Sequence, residues 1–362
     1  MARPGSPPAL PALPLFTVIA TTHFDFGAKL GALAAPRVQR WLSDYRPLQH
    51  TLLPYVATAP GAAALDSLLN ASCTQFPNYC EEVEGLAHGS GAPLRSLQVL
   101  SLRHELTALA GATLHPECTD VLSAGVIAHN EDASPALKAS AFLVNASISE
   151  TDTAYLAFHY PGTTAGHAFG FNHRARVAVT MNAVFPLQVD VGGSGCYYLS
   201  RAALDATSAV DAARRLSVRS AYGGSLNVGE VASGAVHNLE FAPHRSAPNL
   251  SDAVPASGAF HMNNYRRMLD VPAKDDASSD HRLRRAREIA KDHPVSAADL
   301  NSFWRVLGDR ADPSYPLWRN TTKDDGGATA ATATFELGVP ALTIHVGGPP
   351  SDSATPRVRY VL

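Results

Sequence analysis

An α+β fold is what the order of patterns along this 362-residue chain predicts. Helical text comes first, strand-like runs then cluster, and helices and strands return at the end, an order that favours separate layers over alternating βαβ units. Hydrophobic residues make up 46% and charged residues 17%, against the roughly 25% charged of an average soluble chain. Disorder, which needs low hydrophobicity with high net charge, is excluded. At about 150 residues per domain the length allows two domains. Residues 16–362 nevertheless read as one, because neither an internal repeat nor an interdomain linker interrupts them.

Residues 1–15 form a Pro-rich leader. A strand follows at 16–20 and a helix at 27–42, and 65–111 is helical in pieces. Within that stretch Leu94, Leu97, Leu100, Leu102, Leu106 and Leu109 fall close to one stripe at helical spacing, which predicts a core-facing helix. After His115-Pro116 the period shortens. Residues 121–130 read as two strand pieces joined by a turn; 141–148, 154–160, 177–184, 225–231, 236–241 and 328–337 read as further strands. Helical patches stand at 197–206, 209–216, 280–291 and 297–307, with Ser296 placed to cap the last. The charge-rich stretches 274–280 and 323–325 read as surface loops.

Composition also narrows the function. Lys plus Arg is 29 and Asp plus Glu 32, a net charge of −3, so the basic excess that drives phosphate-backbone binding is missing and no nucleic-acid partner is expected. No apolar run reaches the 18 or more residues of a membrane span. Pro7, Pro8, Pro11 and Pro14 break the apolar start, unlike a secretory h-region, so a cytoplasmic protein off the membrane is expected. Without export, the Asn-x-Ser/Thr triplets at Asn70, Asn145, Asn249 and Asn320 carry little weight. Of the four cysteines, Cys73 and Cys80 could pair in an oxidising compartment; separate buried thiols are the favoured reading. No dinucleotide or phosphate-binding glycine loop and no G-x-S-x-G elbow is present, and His104-Glu105 lacks the second histidine of a zinc-protease helix. The fifteen histidines scatter, with His115 and Cys118 the nearest His/Cys pair, so neither metal nor cofactor is expected.

One constellation remains: Glu117-Cys118-Thr119-Asp120-Val121, then His129-Asn130-Glu131-Asp132. Helical text stops here and two strand pieces begin. A single Cys at the head of a strand is more often a small buried hydrophobe than a nucleophile. Its neighbours change that weighting, because the chain resembles the peptidase C45 family of N-terminal-nucleophile hydrolases. That family includes the fungal acyl-CoA:6-aminopenicillanic acid acyltransferases, and within it the chain is most similar to hydrolases of β-alanyl amines (carcinine, N-β-alanyldopamine). The matching pieces are His23-Phe-Asp-Phe-Gly27, Pro77-Asn-Tyr-Cys-Glu-Glu-Val-Glu-Gly85, Leu102-Arg103-His-Glu105, Cys118-Thr119, His129-Asn130-Glu131-Asp132, Gly170-Phe-Asn172, Asn238-Leu-Glu240-Phe-Ala-Pro243 and His261-Met-Asn263.

The resemblance implies a four-layered αββα sandwich and self-cleavage between Glu117 and Cys118, leaving chains 1–117 and 118–362 as an αβ heterodimer, with higher assembly left open. The thiol of Cys118 is then the nucleophile and its freed α-amine, with a reference pKa near 8, the base. By the same analogy Asn263 supplies an oxyanion donor and Asp132 an orienting acid. Glu131 or Asp120 is the candidate partner for the cationic amine of a small-molecule amide substrate. Arg103 and Glu105 are expected to be structural, paired near the cleavage loop. Departures qualify this picture. The better-known relatives carry Gly where Glu117 stands, and a Cβ there restricts a strained scissile bond. The penicillin acyltransferases carry an aromatic residue at Glu131 and an arginine near Gly326-Gly327. The expected activity is therefore hydrolysis of β-alanyl amines to β-alanine and amine through an acyl-Cys118 intermediate. The alternatives are acyl transfer from a thioester to an amine, and an unprocessed relative that only binds.

Overall fold

Distant strand segments meet in two sheets. In the computed structural model residues 13–112, 118–274, 276–320 and 327–362 are described; Glu117, His115, most of the leader and the 323–325 loop lie outside them. β1 (Leu15–Ala20) pairs in parallel with β4 (Phe142–Ile148). The sheet then continues antiparallel through β5 (Thr153–His159), β6 (Phe169–Asn172), β7 (Val177–Val184), β8 (Gly223–Glu230), β9 (Val236–Phe241) and β10 (Asn249–Leu250). The second sheet is antiparallel throughout. Its order is β11 (Ala259–His261), β2 (Thr119–Ser123), β3 (Val126–Ala133), β12 (Ala328–Glu336), β13 (Ala341–His345) and β14 (Arg357–Val361). The short strands β6, β10 and β11 and the final pair carry too little alternation to stand out in the sequence.

Every residue of β2, β3 and β7 is buried, as expected of strands covered on both faces. The sheets stack directly: the rings of Phe169 and Phe335 lie 6.4 Å apart across the interface, and a Cβ at Gly229 would reach Ile127 at 2.8 Å. Helices α1 (His23–Asp44), α2 (Leu53–Val56), α3 (Ala59–Gln75), α4 (Pro77–Ser90), α5 (Leu94–Ser101) and α6 (Arg103–Leu109) precede the nucleophile segment. Next come α7 (Pro135–Ser140), α8 (Cys196–Leu204) and α9 (Ala209–Arg215). α1 and α8 pack on the outer side of the first sheet, α10 (Ala277–Asp292) and α11 (Leu300–Leu307) on that of the second. The layers run αββα, as expected. Among the described residues no single helix is long and apolar enough to cross a membrane.

The first two family-like pieces build the α1–α4 contact. A Cβ at Gly27 would stand 2.1 Å from the carbonyl oxygen of Glu82, and one at Gly85 2.2 Å from that of Phe24, so the two backbones touch only because both residues are glycine. Beside them His23 Nδ1 lies 2.8 Å from Glu82 Oε1, and Arg201 of α8 donates to the same carboxylate at 2.8 Å. Buried charges persist when paired in this way.

Four expectations need correction. The leucine stripe at 94–109 is divided at Leu102, whose φ of −123° and ψ of 22° leave the helical region, although Leu97, Leu100, Leu102 and Leu106 are fully buried. Asp299, not Ser296, caps α11: a turn closed from Asp299 N–H to Ser296 C=O delays the helix, and the Asp299 side chain accepts from Asn301 N–H. The end of the 274–280 loop belongs to α10, which starts at Ala277 behind the cap Asp276. Finally, Cys73 and Cys80 are joined in a disulfide rather than standing as separate thiols. Pro77 disfavours helical backbone at Phe76 and stops α3 there, folding α4 back until the two Cα atoms are 5.7 Å apart, within bridging range.

Candidate active site

Strand register decides which side chains meet at Cys118. Thr119 opposes Asn130 and Asp120 opposes His129. Successive side chains of a strand point to opposite faces, so Cys118, Asp120, His129 and Glu131 turn in between the sheets, whereas Thr119, Asn130 and Asp132 turn out towards α10 and α11. Inside, Cys118 Sγ donates to Glu131 Oε2 at 3.6 Å. The imidazole of His129 bridges two carboxylates, Nε2 lying 3.1 Å from Glu131 Oε2 and Nδ1 2.8 Å from Asp120 Oδ1. Tyr160 donates its hydroxyl to Glu131 Oε1. Across the sheet interface Thr180 of β7 donates to Asp120 Oδ1 at 3.1 Å. Asp120 Oδ2 is buried with no hydrogen-bond partner among the described residues. The Cys118 thiol is buried, but its walls are polar.

On the outer face Asn130 Nδ2 donates to the carbonyls of Leu307 and Leu317. Asp132 Oδ1 accepts from Thr329 Oγ1 at 2.5 Å, and its other oxygen lies 3.7 Å from Arg319 Nε. Asp132 and Glu131 thus stand next to the thiol on opposite sides of one strand. What Asp132 offers Cys118 directly is its backbone N–H, which favours the thiolate.

Arg282 of α10 ties this centre to the 261–263 segment. One of its terminal nitrogens donates to the carbonyl of Cys118 (2.7 Å) and to Thr119 Oγ1 (2.9 Å), the other to Asn263 Oδ1 (2.7 Å). Asn263 Nδ2 donates to the Ala183 carbonyl at 2.9 Å. Asn263 is therefore joined to Cys118 through a shared guanidinium, with one of its two amide hydrogens on the Ala183 carbonyl.

Electrostatics separate the groups further. Burial, and then the charges of Glu131, Asp132 and Asp120, push the Cys118 thiol well above its usual range. Burial works against a charged His129, yet Asp120 and Glu131 overcome it and raise that imidazole to about 10, so it is cationic at neutral pH. Burial lifts Asp132 to about 7, against the pull of Thr329 and Arg282. Asp120 and Glu131 flank the His129 imidazole, one on each ring nitrogen.

The sequence had named Cys118, Glu131, Asp120, Asp132 and Asn263, and the structure gathers all five around the head of β2. His129 joins them, and its period-two spacing from Glu131 is the sequence signal that could have found it. Tyr160, Thr180 and Arg282 were missed; a tyrosine at a strand end and one arginine among several in a polar helix give no warning. The expected Arg103–Glu105 pair does not form among the described residues. Arg103 lies 4.4 Å over the Tyr160 ring, and Glu105 accepts the Cys196 N–H at 2.7 Å. Metal ligation was not expected either, but Cys118, His129 and Glu131 bring three donor atoms within 4.8 Å of one another.

Similarity to known proteins extends over most of the chain. The family model described as acyl-coenzyme A:6-aminopenicillanic acid acyl-transferase matches residues 119–351. The beta-alanyl-dopamine/carcinine hydrolase of Drosophila melanogaster is 24% identical over 361 residues, covering 91% of each chain. The structure of penicillin V acylase from Agrobacterium tumefaciens is 13% identical and matches 65% of this chain and 77% of its own, with a TM-score of 0.37. With the family match running over most of its length, the chain belongs to the acyl-coenzyme A:6-aminopenicillanic acid acyl-transferase (peptidase C45) family.

Proposed function

We propose that the protein is a self-processing cysteine amidohydrolase acting on small linear amides, with β-alanyl amines the best substrate class. The observation that carries this reading is the Cys118 thiol lying 3.6 Å from the Glu131 carboxylate at the head of β2, with its own carbonyl held by Arg282. In the precursor the α-nitrogen of Cys118 is tied up in the scissile peptide and cannot serve as base. Glu131 is placed to take the thiol proton as Sγ attacks the carbonyl carbon of Glu117. The C–N bond then breaks, the amine leaves with that proton, and water opens the resulting thioester. In turnover the freed α-amine takes over as base. The substrate acyl group passes to Cys118, the amine departs protonated, and water releases the acid. Asn263 is the oxyanion donor in this scheme, and losing such a donor costs about 10²–10³ in kcat. Asp132 orients the centre through its backbone N–H.

Two things support a cationic substrate: the two acidic side chains, Asp120 and Glu131, gathered beside the thiol, and the similarity to the Drosophila beta-alanyl-dopamine/carcinine hydrolase. Acyl transfer is the second reading, favoured by the family's description; a panel of carcinine against an acyl-CoA with an amine acceptor separates the two. The primary test is a denaturing gel with N-terminal sequencing. Wild type is expected as two chains, the second beginning at Cys118, and Cys118→Ala as one inactive chain. Wild type that stays whole and fully active would remove the mechanism.

A further inference from the structure

We propose that Cys118, His129 and Glu131 form a binding site for a zinc-class divalent cation, which silences the catalytic thiol when it binds. Only the silencing rests on the reading of Cys118 as nucleophile; the binding does not. With zinc–sulfur bonds of about 2.3 Å and zinc–nitrogen and zinc–oxygen bonds of about 2.0 Å, tetrahedral angles place sulfur about 3.5 Å and nitrogen about 3.3 Å from the oxygen ligand. The separations here are 3.6 Å from Cys118 Sγ and 3.1 Å from His129 Nε2 to the same Glu131 Oε2. All three donors lie within 4.8 Å of one another, close enough for side-chain adjustments to bring them onto one ion.

The surrounding contacts fit a metal as well as the donors do. Asp120 holds His129 Nδ1 at 2.8 Å, the carboxylate–histidine arrangement that fixes a ligating ring and leaves Nε2 for the ion. Tyr160 holds Glu131 Oε1, which leaves Oε2 for the same task. A thiolate and an imidazole select zinc-class ions and reject calcium and magnesium, which take oxygen ligands. Binding displaces to solvent the thiol proton of Cys118 and the Nε2 proton of His129. The thiolate so formed, with the carboxyl groups of Glu131 and Asp120 beside it, offsets the incoming dication. Three protein ligands leave the fourth tetrahedral position open. A sulfur bound to the ion cannot attack a carbonyl, so occupancy and turnover exclude each other.

The test uses the full-length protein as purified, titrated with Co²⁺ alone as a spectroscopic probe and with Zn²⁺ alone. One equivalent of Co²⁺ should give a thiolate-to-cobalt charge-transfer band that Zn²⁺ abolishes. Zn²⁺ should also slow iodoacetamide labelling of Cys118 at least tenfold and stop turnover, with EDTA reversing both. His129→Ala and Glu131→Gln should each weaken cobalt binding at least tenfold. Cys118→Ser should lose the band and Cys196→Ser should keep it. The labelling experiment needs no variant, so a misfolded mutant cannot hide the answer. No band at one equivalent, a band that survives in Cys118→Ser, or Cys118 labelling indifferent to Zn²⁺ overturns the site. A cobalt band in a chain that neither cleaves itself nor turns over amides would sink the functional reading and leave the site standing; normal turnover with no band does the reverse.

Discussion

Glu240 offers a quantitative handle on how the fold holds Asn263. Its carboxylate, at the β9 end of the 261–268 segment, accepts the backbone N–H groups of Arg266 (2.7 Å), Arg267 (2.9 Å) and Met268 (3.1 Å), and it also contacts His261 Nε2 at 3.3 Å. Burial opposes its charge, but His261 and the backbone donors win and lower its pKa from 4.5 to about 2. A depression of that size corresponds to about 3 kcal/mol of folding stability at neutral pH. The folded-state pKa is the lower one, so the contribution is complete above the unfolded value and disappears as pH falls through the folded value. Glu240→Gln should lower unfolding free energy by about 3 kcal/mol at pH 7 and by only about 1 kcal/mol at pH 3, measured by urea denaturation of both proteins at each pH. Its kcat should fall while self-cleavage products still form, because the segment carrying Asn263 loosens. An equal gap at both pH values, or a gap under about 1 kcal/mol at pH 7, would refute the assignment of that stability to the carboxylate's charge.

Three further outcomes follow from contacts already described. Arg282→Lys keeps a positive charge but cannot span Cys118, Thr119 and Asn263 at once, so kcat should drop about a hundredfold, in line with the loss of a preorganised donor, with the protein still folded by circular dichroism. Gly85→Ala places a Cβ 2.2 Å from the Phe24 carbonyl and 2.7 Å from the Ala28 nitrogen; backbone cannot yield as a side chain can, so a loss of about 3 kcal/mol or more is expected in thermal or urea unfolding. The Cys73–Cys80 disulfide spans a sequence separation of 7, and chain entropy for so short a loop gives about 2 kcal/mol. Cys73→Ser with Cys80→Ser should cost about that in urea, and mild reduction of wild type should match it.

The layered fold was legible because it depends on patterns the chain repeats: apolar runs of strand length bounded by turns, and helical stripes on either side. The break at Leu102 was not, because its cause lies elsewhere in the chain. Arg103 must reach the Tyr160 ring and Glu105 the N–H of Cys196, and no local spacing announces either partner. The disulfide was misjudged for a related reason, since composition speaks to how many bridges a chain needs, whereas Pro77 and the turn it enforces decide whether these two cysteines meet. The family-like pieces at His23–Gly27 and Pro77–Gly85 turn out to be packing: two glycines that let helices touch, and a buried His23–Glu82–Arg201 network.

The site shows the same division more sharply. Residue types near Cys118 could be read directly, but their directions could not, since a one-residue slip of β3 would exchange Glu131 for Asp132 at the thiol. What fixes the register lies across the sheet interface. Asn238 Nδ2 donates to Asn227 Oδ1 (2.8 Å), Asn227 Nδ2 to Thr180 Oγ1 (2.9 Å), and Thr180 Oγ1 to Asp120 Oδ1 (3.1 Å). Each member spends a donor on the next, so the column ends on a carboxylate that needs none of its own and that in turn holds His129. A shifted β2 or β3 would leave the Thr180 hydroxyl buried without that acceptor, at roughly 1–3 kcal/mol. Asn238 thus reaches the nucleophile through five intervening side chains, Asn227, Thr180, Asp120, His129 and Glu131, and helps decide which face of β3 the thiol meets.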